Sequence, residues 1–295
     1  MHSMMRNKST IFLMIFPGMA LFVFVIFVAI ILSVYYGMTN WTGIGEIHII
    51  GLQNFKEILF KDAMFWKSLL NALVLGLGLI LIQHPLAIVY AIIIDRIGGR
   101  WEKVFRTIFF IPCVISVVVT SVMWVNIYNP NFGLLNRLLD VVHLGFLKQQ
   151  WLGNPKIVLW SVLVALMWQG FGWAMLYYYA GLKGMSEELY EASRIDGCNT
   201  LQMHARITIP LLVPVIKVSV TLAVISALKQ METVFLMTDG GPGGASQFLA
   251  NYLYTKAFDS YEFGYGNAIS VLFVIVCIIV TAGLNKAAAK WDIYE

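Results

Sequence analysis

Long apolar runs separated by short polar stretches set the pattern of this chain. A helix that crosses a bilayer needs about 20 predominantly apolar residues, and six runs are long enough. They are Ile11–Tyr36, Leu69–Ile94, Thr107–Tyr128, Ile157–Ala180, Ile209–Leu228 and Asn267–Leu284. The pattern therefore predicts an all-α integral membrane protein with six transmembrane helices, in which residues 1–295 form a single transmembrane domain.

The composition agrees with this class, because hydrophobic residues make up 59% of the 295 and charged residues only 12%. Soluble domains carry about 25% charged residues. The net charge of +4 is typical of a membrane protein with cationic inner loops and does not indicate nucleic acid as a partner. The partner that the composition predicts is the lipid bilayer.

Lysine and arginine are unevenly divided between the polar stretches. With the N-terminus in the cytoplasm, the inner segments hold about 11 in roughly 61 residues and the outer ones about 8 in roughly 98. Because cytoplasmic loops carry the excess of cations, we expect both termini and residues 186–210 to face the cytoplasm. The apolar run after Arg6 and Lys8 is longer than a signal-peptide core, so no cleavable signal is expected.

Residues suited to catalysis are scattered. Cys113, Cys198 and Cys277 have no disulfide or metal-ligand spacing. Gly240–Gly244 lacks the Lys-Ser/Thr of a phosphate loop and is typical of a turn. A membrane-embedded enzyme would need clustered His, Asp or Glu at membrane depth, and the sequence shows no nucleophile–base pair. We therefore expect no metal site, no cofactor and no catalysis on this chain.

The longest polar segment with helical periodicity is Glu191–Pro210, between two apolar runs. Ser186 is a plausible N-cap before it, and Asn199 or Thr200 can cap a second short helix after the break at Gly197. One helical face is apolar, at Met185, Leu189, Ala192 and Ile195. The pattern predicts a short, bent helix pair, and the alternative is an ordinary solvated loop.

The residue types in this segment resemble the signature loop of binding-protein-dependent ABC importer permeases. The matching positions are Glu191, Ala192, Ser193, Gly197, Ile207, Ile209 and Pro210. Ser193 replaces a usual Ala and Ile209 a usual Leu, which are small departures. The resemblance implies a MetI-like bundle whose cytoplasmic coupling helix docks into a cleft on an ATPase, as in helix-in-groove recognition. The coupling residues that it implies are Glu191, Ala192, Ser193, Asp196, Gly197, Ile207 and Pro210.

Other segments resemble the carbohydrate branch of these permeases, the maltose and glycerol-phosphate type. They are Gly51–Phe55; Arg106, Phe110, Pro112 and Trp124; Gly133 and Asn136; Thr238–Pro242; and Tyr252, Tyr254, Ala257, Phe258 and Gly264–Gly266. The resemblance implies a permease subunit that translocates a sugar or oligosaccharide by alternating access. A non-sugar solute, such as a glycerol-phosphate-type compound, is the alternative substrate.

The resemblance also implies an assembly in a bacterial-type cytoplasmic membrane. A second, different permease would complete the pathway as a heterodimer, two ABC ATPases would bind ATP and Mg, and an extracytoplasmic solute-binding protein would deliver the solute. A channel or an ATP-independent transporter would also fit six spans, but the docking loop would then have no purpose.

Polar residues in or near the spans are candidates for the substrate pathway, because amides and carboxylates bind sugar hydroxyls and aromatic faces pack on sugar rings. Polar groups at membrane depth tend to face the bundle interior. The candidates are Gln83, Gln230, Met231, Glu232, Phe235, Asn267 and Ser270. Local hydrogen bonding is the alternative at Gln83 and His84, before Pro85, and an interfacial helix end is the alternative at Gln230–Phe235.

Overall fold

The computed structural model describes residues 8–289, and these residues are helical apart from their loops and one isolated β-bridge between Thr39 and Ile49. The all-α prediction is confirmed. The helices are α1 (Lys8–Gly37), α2 (Gln53–Phe60), α3 (Ala63–Gly78), α4 (His84–Ile97), α5 (Gly99–Val114), α6 (Val117–Ile127), α7 (Leu134–Val141), α8 (Val158–Lys183), α9 (Glu187–Ile195), α10 (Thr200–Met203), α11 (Ile209–Leu228), α12 (Glu232–Met237), α13 (Leu249–Tyr254) and α14 (Phe263–Ala289).

Five continuous helical segments in residues 8–289 are long and apolar enough to cross a bilayer. They are Ile11–Gly37, Ala63–Ile97, Val158–Lys183, Thr200–Leu228 and Phe263–Ala287. The third predicted span, Thr107–Tyr128, instead falls on α5 and α6, which meet at a bend of 96°. Ile115 and Ser116 have non-helical backbone angles there, with ψ of 136° and 139°.

The described part of the chain divides into two compact units. The first contains the residues up to Asp62 together with Leu253–Ile275. Within it, Asn54 of α2 is buried and donates to the carbonyls of Gly37 and Thr39, both at 2.9 Å. A Cβ on Gly37 would lie only 3.1 Å from the backbone nitrogen of Ala268, so this glycine lets the end of α1 approach α14 closely.

The second unit contains Ala63–Tyr252 and the residues from Val276 onward. Its apolar core lies where α4, α8 and α11 pack together, around the fully buried Tyr178, Met175 and Leu212. Small residues on α4, Ala87 and Ala91, are fully buried in the same cluster. They leave room for the large side chains of α8, as close packing of helices requires.

Two π-helical turns interrupt the long helices of the second unit, at Leu79–Gln83 and His204–Thr208. Each is followed two residues later by a proline, Pro85 or Pro210. Proline donates no backbone hydrogen bond and its ring clashes with the carbonyl four residues earlier. The preceding turn widens, so that the amides of His84 and Ile209 donate to the carbonyls five residues back.

The glycine-rich segment Gly240–Gly244 is a loop of turns, as the sequence predicts. The side-chain amide of Asn71 on α3 is buried and donates to the carbonyls of Ala245 and Gln247, at 3.1 and 2.8 Å. Inside the loop, the Ser246 hydroxyl donates to the Gly241 carbonyl at 2.6 Å. These contacts give the segment a structural role, in agreement with the absence of a phosphate-loop motif.

Helix α5 crosses α8 at Gly172, where an added Cβ would lie 2.9 Å from both the Cys113 sulfur and the Phe110 Cα. An added Cβ at Gly78 would meet only the Met167 sulfur at 3.8 Å. Alanine normally favours a helix over glycine by about 1 kcal/mol, whereas overpacking costs about 1–3 kcal/mol. We expect Gly172→Ala to lower the Tm of the detergent-solubilised protein and Gly78→Ala to leave it unchanged or higher. Equal effects of the two substitutions would contradict the close crossing.

Candidate functional site

A cavity of about 480 Å³ lies inside the second unit, between α3, α4, α8, α11 and the short helix α12, and Cys113 and Val117 at the α5–α6 bend also line it. Its lining is mixed, with apolar side chains beside amides, hydroxyls, two aromatic rings and one carboxylate. The polar and aromatic members are Gln83, His84, Gln169, Trp173, Tyr177, Ser219, Ser226, Gln230, Glu232 and Thr233. Such a concave lining with a few polar groups is typical of a small-molecule site.

The π turn positions two of these side chains. Gln83 is its last residue and His84 follows, with only 6% and 3% of their surfaces exposed. The Nδ1 atom of His84 is hydrogen-bonded to the hydroxyl of Tyr178 on α8. This bond holds the imidazole ring against α8, so the partner of Nδ1 lies on a different helix and the bond is not the local hydrogen bonding given as the alternative at His84.

Two other polar atoms of this pair lack a partner among the described residues. Gln83 Oε1 and His84 Nε2 are buried, and neither makes a hydrogen bond within the described residues. A buried polar atom without a partner costs about 1–3 kcal/mol. Because both residues line the cavity, a water molecule or a solute hydroxyl in the cavity would satisfy these atoms.

The candidate pathway residues are placed differently from one another. Gln83, Gln230 and Glu232 line the cavity, whereas Met231 and Phe235 are not among its lining residues. Asn267 and Ser270 belong to the first unit, where the Asn267 amide donates to the Phe263 carbonyl of its own helix at 2.8 Å.

Reasoning from the sequence missed the face that α8 contributes to the cavity. Gln169, Trp173 and Tyr177 recur at intervals of four residues and all line it. This spacing places them on one helical face. The signal was present in the sequence, but it lies within an apolar run in which aromatic residues are commonly lipid-facing.

The loop that follows α8 forms the helix α9, with the caps expected from the sequence. The Ser186 hydroxyl accepts a hydrogen bond from the Glu188 amide at 3.2 Å. Glu187 and Glu188 lie in the first turn, where carboxylates suit the positive end of the helix dipole. The helix ends before Gly197, whose φ of +77° is costly for any residue with a Cβ.

Asn199 begins the next helical segment with a capping box. Its side chain accepts from the Gln202 amide at 2.8 Å, while the Gln202 side chain accepts from the Asn199 amide at 3.0 Å. The second short helix predicted here, α10, does not end in the loop. It continues through the π turn into α11, so that Thr200–Leu228 is one helical segment.

Helix α9 is anchored on one side and open on the other. The Ser193 side chain is buried and its hydroxyl donates to the Tyr190 carbonyl at 2.8 Å, while the Tyr190 hydroxyl lies 3.3 Å from that of Thr208. Three residues of the predicted apolar stripe point away from the protein, since Leu189, Ala192 and Ile195 are exposed, the last at 86%. The fourth, Met185, precedes the helix and packs against the core of the second unit, so it does not belong to the exposed stripe.

The seven predicted coupling residues therefore fall into three groups. Glu191, Ala192, Asp196 and Gly197 are exposed, Ser193 is buried, and Ile207 and Pro210 are half-buried at the start of the following helix. Among residues 8–289, no group of three or more His, Cys, Asp and Glu side chains is arranged to hold a metal ion.

Residues 83–291 match the family described as binding-protein-dependent transport system inner membrane component. Over 272 residues, 92% of each chain, the sequence is 36% identical to a probable ABC transporter permease protein of Pyrococcus horikoshii. The chain therefore belongs to this family. It is a permease subunit of the ABC transporter class and not an enzyme, as the resemblance in the loop implies.

Two further relatives have names that specify a solute. A diacetylchitobiose uptake system permease protein of Streptomyces coelicolor is 30% identical, and the alignment covers 92% of this chain and 80% of that one. A multiple sugar-binding transport system permease protein of Streptococcus mutans is also 30% identical, over 88% of each chain.

Solved structures confirm the fold. A bacterial ABC transporter involved in the import of the acidic polysaccharide alginate matches with a TM-score of 0.83, covering 98% of each chain at 21% identity. A bacterial alginate ABC transporter in complex with a periplasmic protein that binds alginate pentasaccharide matches with a TM-score of 0.82, covering 97% of this chain and 96% of that one at 20% identity. At such identities the likeness concerns the fold alone.

Proposed function

We propose that this chain is the permease subunit of an ATP-driven importer that carries a neutral sugar or oligosaccharide across the cytoplasmic membrane by alternating access. The observation that carries the proposal is α9, a capped helix between two membrane-spanning segments. Its apolar stripe of Leu189, Ala192 and Ile195 is exposed, while its opposite side is tied to the following segment by the hydrogen bond between the hydroxyls of Tyr190 and Thr208. A stripe of this kind suits insertion into a groove on a partner.

In this proposal, α9 is the coupling helix and lies on the cytoplasmic side, with both chain termini. The excess of Lys and Arg in the inner segments supports that orientation. The partner is a pair of ABC ATPases, which bind ATP and Mg²⁺ and move α9 when they close.

The coupling residues have distinct parts in this scheme. Ala192 belongs to the inserted stripe, and the carboxylates of Glu191 and Asp196 orient it. Ser193 lies on the buried side of the helix, where its hydroxyl donates to the Tyr190 carbonyl. Tyr190 ties the helix to the following segment through its hydroxyl contact with Thr208, and Gly197 provides the turn that ends the helix. Ile207 and Pro210 carry the movement into α11, across the π turn.

The cavity lined by Gln83, Gln230 and Glu232 supplies this chain's part of the substrate pathway. Its unpartnered polar atoms, Gln83 Oε1 and His84 Nε2, suit the dense hydroxyl groups of a sugar. The rings of Trp173 and Tyr177 offer apolar faces for the sugar ring. Met231, the N-cap of α12, Phe235 within α12, and Asn267 and Ser270 in the last span remain proposed contacts outside the cavity.

Charge favours a neutral sugar over the alternative, a glycerol-phosphate-type compound. The described residues that line the cavity include the carboxylate of Glu232 but no lysine or arginine. Two like charges about 4 Å apart repel by about 1–4 kcal/mol in a partly aqueous site. The diacetylchitobiose and multiple-sugar relatives also support a sugar as the substrate class.

The proposed assembly contains this permease, a second and different permease that completes the pathway, two ATPases, and an extracytoplasmic solute-binding protein. The family description, a component of a binding-protein-dependent system, supports the last of these. The complex of an alginate transporter with its periplasmic protein offers a precedent in the same fold.

Substitution of the exposed stripe tests the docking role. Ile195→Glu places a carboxylate in the proposed groove, and loss of a buried apolar anchor typically costs more than about 1 kcal/mol of binding. We expect the variant to insert normally, to lose affinity for the ATPases by roughly 10-fold or more, and to lose ATP-driven uptake in reconstituted vesicles.

The matched control is Ile44→Glu, because Ile44 is 89% exposed and lies in the loop after α1. This control should leave both ATPase binding and uptake unchanged. Wild-type uptake and ATPase affinity in the Ile195→Glu variant would contradict the docking role of α9.

Substitution of the cavity carboxylate tests the substrate pathway. Hydrogen bonds to a charged group contribute about 1.5–3 kcal/mol, so Glu232→Ala should lower the kcat/KM of sugar uptake by roughly 10-fold or more. The measurement is ATP-driven uptake of a radiolabelled neutral oligosaccharide by the complete transporter with its solute-binding protein.

Glu46→Ala is the control for this experiment, because Glu46 is an exposed carboxylate outside the second unit. If Glu232→Ala leaves kcat/KM unchanged, the result would instead support the alternative that Gln230–Phe235 is an interfacial helix end.

Competition experiments address the substrate class, since glycerol 3-phosphate and uronic acid oligosaccharides should fail to inhibit wild-type uptake. Inhibition by either anion at the concentration of the neutral sugar would contradict a neutral substrate.

A further inference from the structure

A cluster of charged side chains joins three helices of the second unit at the end from which α9 emerges. The Lys183 ammonium on α8 lies 2.8 Å from Asp95 Oδ1 on α4 and 3.8 Å from Glu102 Oε2 on α5. Glu102 also accepts a hydrogen bond from the Tyr179 hydroxyl on α8. Arg106, one turn further along α5, lies 4.0 Å from Glu102.

Aromatic contacts tighten this cluster. The Tyr179 ring has the Arg106 guanidinium carbon 5.3 Å from its centroid and the Lys183 ammonium 5.4 Å from it. Both distances are within the range of cation–π attraction. Tyr179 therefore contacts the Glu102 carboxylate and the cations of both Arg106 and Lys183.

Burial strengthens this network at Glu102, whereas the side chains of Lys183 and Asp95 are 50% and 35% exposed. Only 15% of the Glu102 side chain is exposed. Exposed pairs contribute little, about 0–1 kcal/mol, but removing one partner of a largely buried carboxylate leaves a charge without compensation and costs more. The cluster therefore resists separation of the three helix ends.

The network is connected to α9 by a very short link. Lys183 is the last residue of α8, and only Gly184, Met185 and the N-cap Ser186 separate it from Glu187. Asp95 lies in the last turn of α4, and Glu102 in the first turn of α5 after the connection at Gly98. A displacement of α9 therefore reaches Lys183 before it reaches the rest of α8.

We propose that Asp95, Glu102 and Lys183 form a clamp that makes the ends of α4, α5 and α8 move together with α9. The three are positioning residues, since they transmit the movement and do not contact the solute. This inference rests on the proposed docking role of α9. Residues of α4 and α5 line the cavity. Without the clamp, α9 could move while α4 and α5 stay in place.

The clamp predicts a specific defect, which is hydrolysis without transport. In the complete reconstituted transporter, we expect Lys183→Met and Asp95→Asn each to raise the number of ATP molecules hydrolysed per sugar imported several-fold. Because the two residues belong to one pair, the double variant should be no worse than either single variant. Lys183→Arg, which retains the charge, should restore most of the coupling.

The matched control is Lys148→Met. Lys148, in the loop after α7, lies 2.7 Å from Asp140 of α7. This ion pair is similar in length to the pair of Lys183 and Asp95, at 2.8 Å. This variant should keep the wild-type ratio of ATP to sugar. A purely structural role of the clamp would lower Tm and yield but leave that ratio unchanged in the folded protein, and this result would overturn the inference.

The two proposals fail in different ways. If α9 does not dock on an ATPase, wild-type uptake will not depend on ATP and Ile195→Glu will have no effect. If α9 docks but the clamp does not transmit, wild-type uptake will be ATP-driven, Ile195→Glu will abolish it, and Lys183→Met and Asp95→Asn will retain the wild-type ratio.

Discussion

The bilayer interior offers no hydrogen-bond partners, so every backbone polar group in a spanning segment must be satisfied within the protein. This constraint explains why the described chain is helical and why its irregular features are confined to particular places. The π turns precede Pro85 and Pro210, the two non-helical residues stand at the α5–α6 bend, and the capped helix α9 lies outside the apolar segments. These departures from regular helix in the second unit adjoin the cavity or the loop.

Helix α8 connects the parts on which the proposed function depends. Its middle carries Gln169, Trp173 and Tyr177 on the cavity face, and Tyr178 holds His84 in the same wall. Its end carries Tyr179 and Lys183 of the charged cluster, and α9 follows after three residues. A rigid helix is suited to this role, because a displacement at one end moves the side chains along its length.

Much of this arrangement could be predicted from local sequence. Apolar run length predicted where the long helices lie, and the Ser186 and Asn199 caps depend on residues two or three positions away. The contacts between distant residues could not be predicted in this way. Nothing local pairs His84 with Tyr178, 94 residues away, or Tyr179 with Glu102, 77 residues away. The α5–α6 bend was also missed, because an apolar run looks alike whether its helix is straight or broken.

The central claim is that α9 receives force on the cytoplasmic surface, and Cys198 beside it permits a direct test. In a variant with Cys113 and Cys277 replaced by serine, Cys198 is the only cysteine of the chain. A membrane-impermeant maleimide should label it in inside-out vesicles and not in right-side-out vesicles, and bound ATPase should protect it. Labelling from the outer face alone would contradict the account.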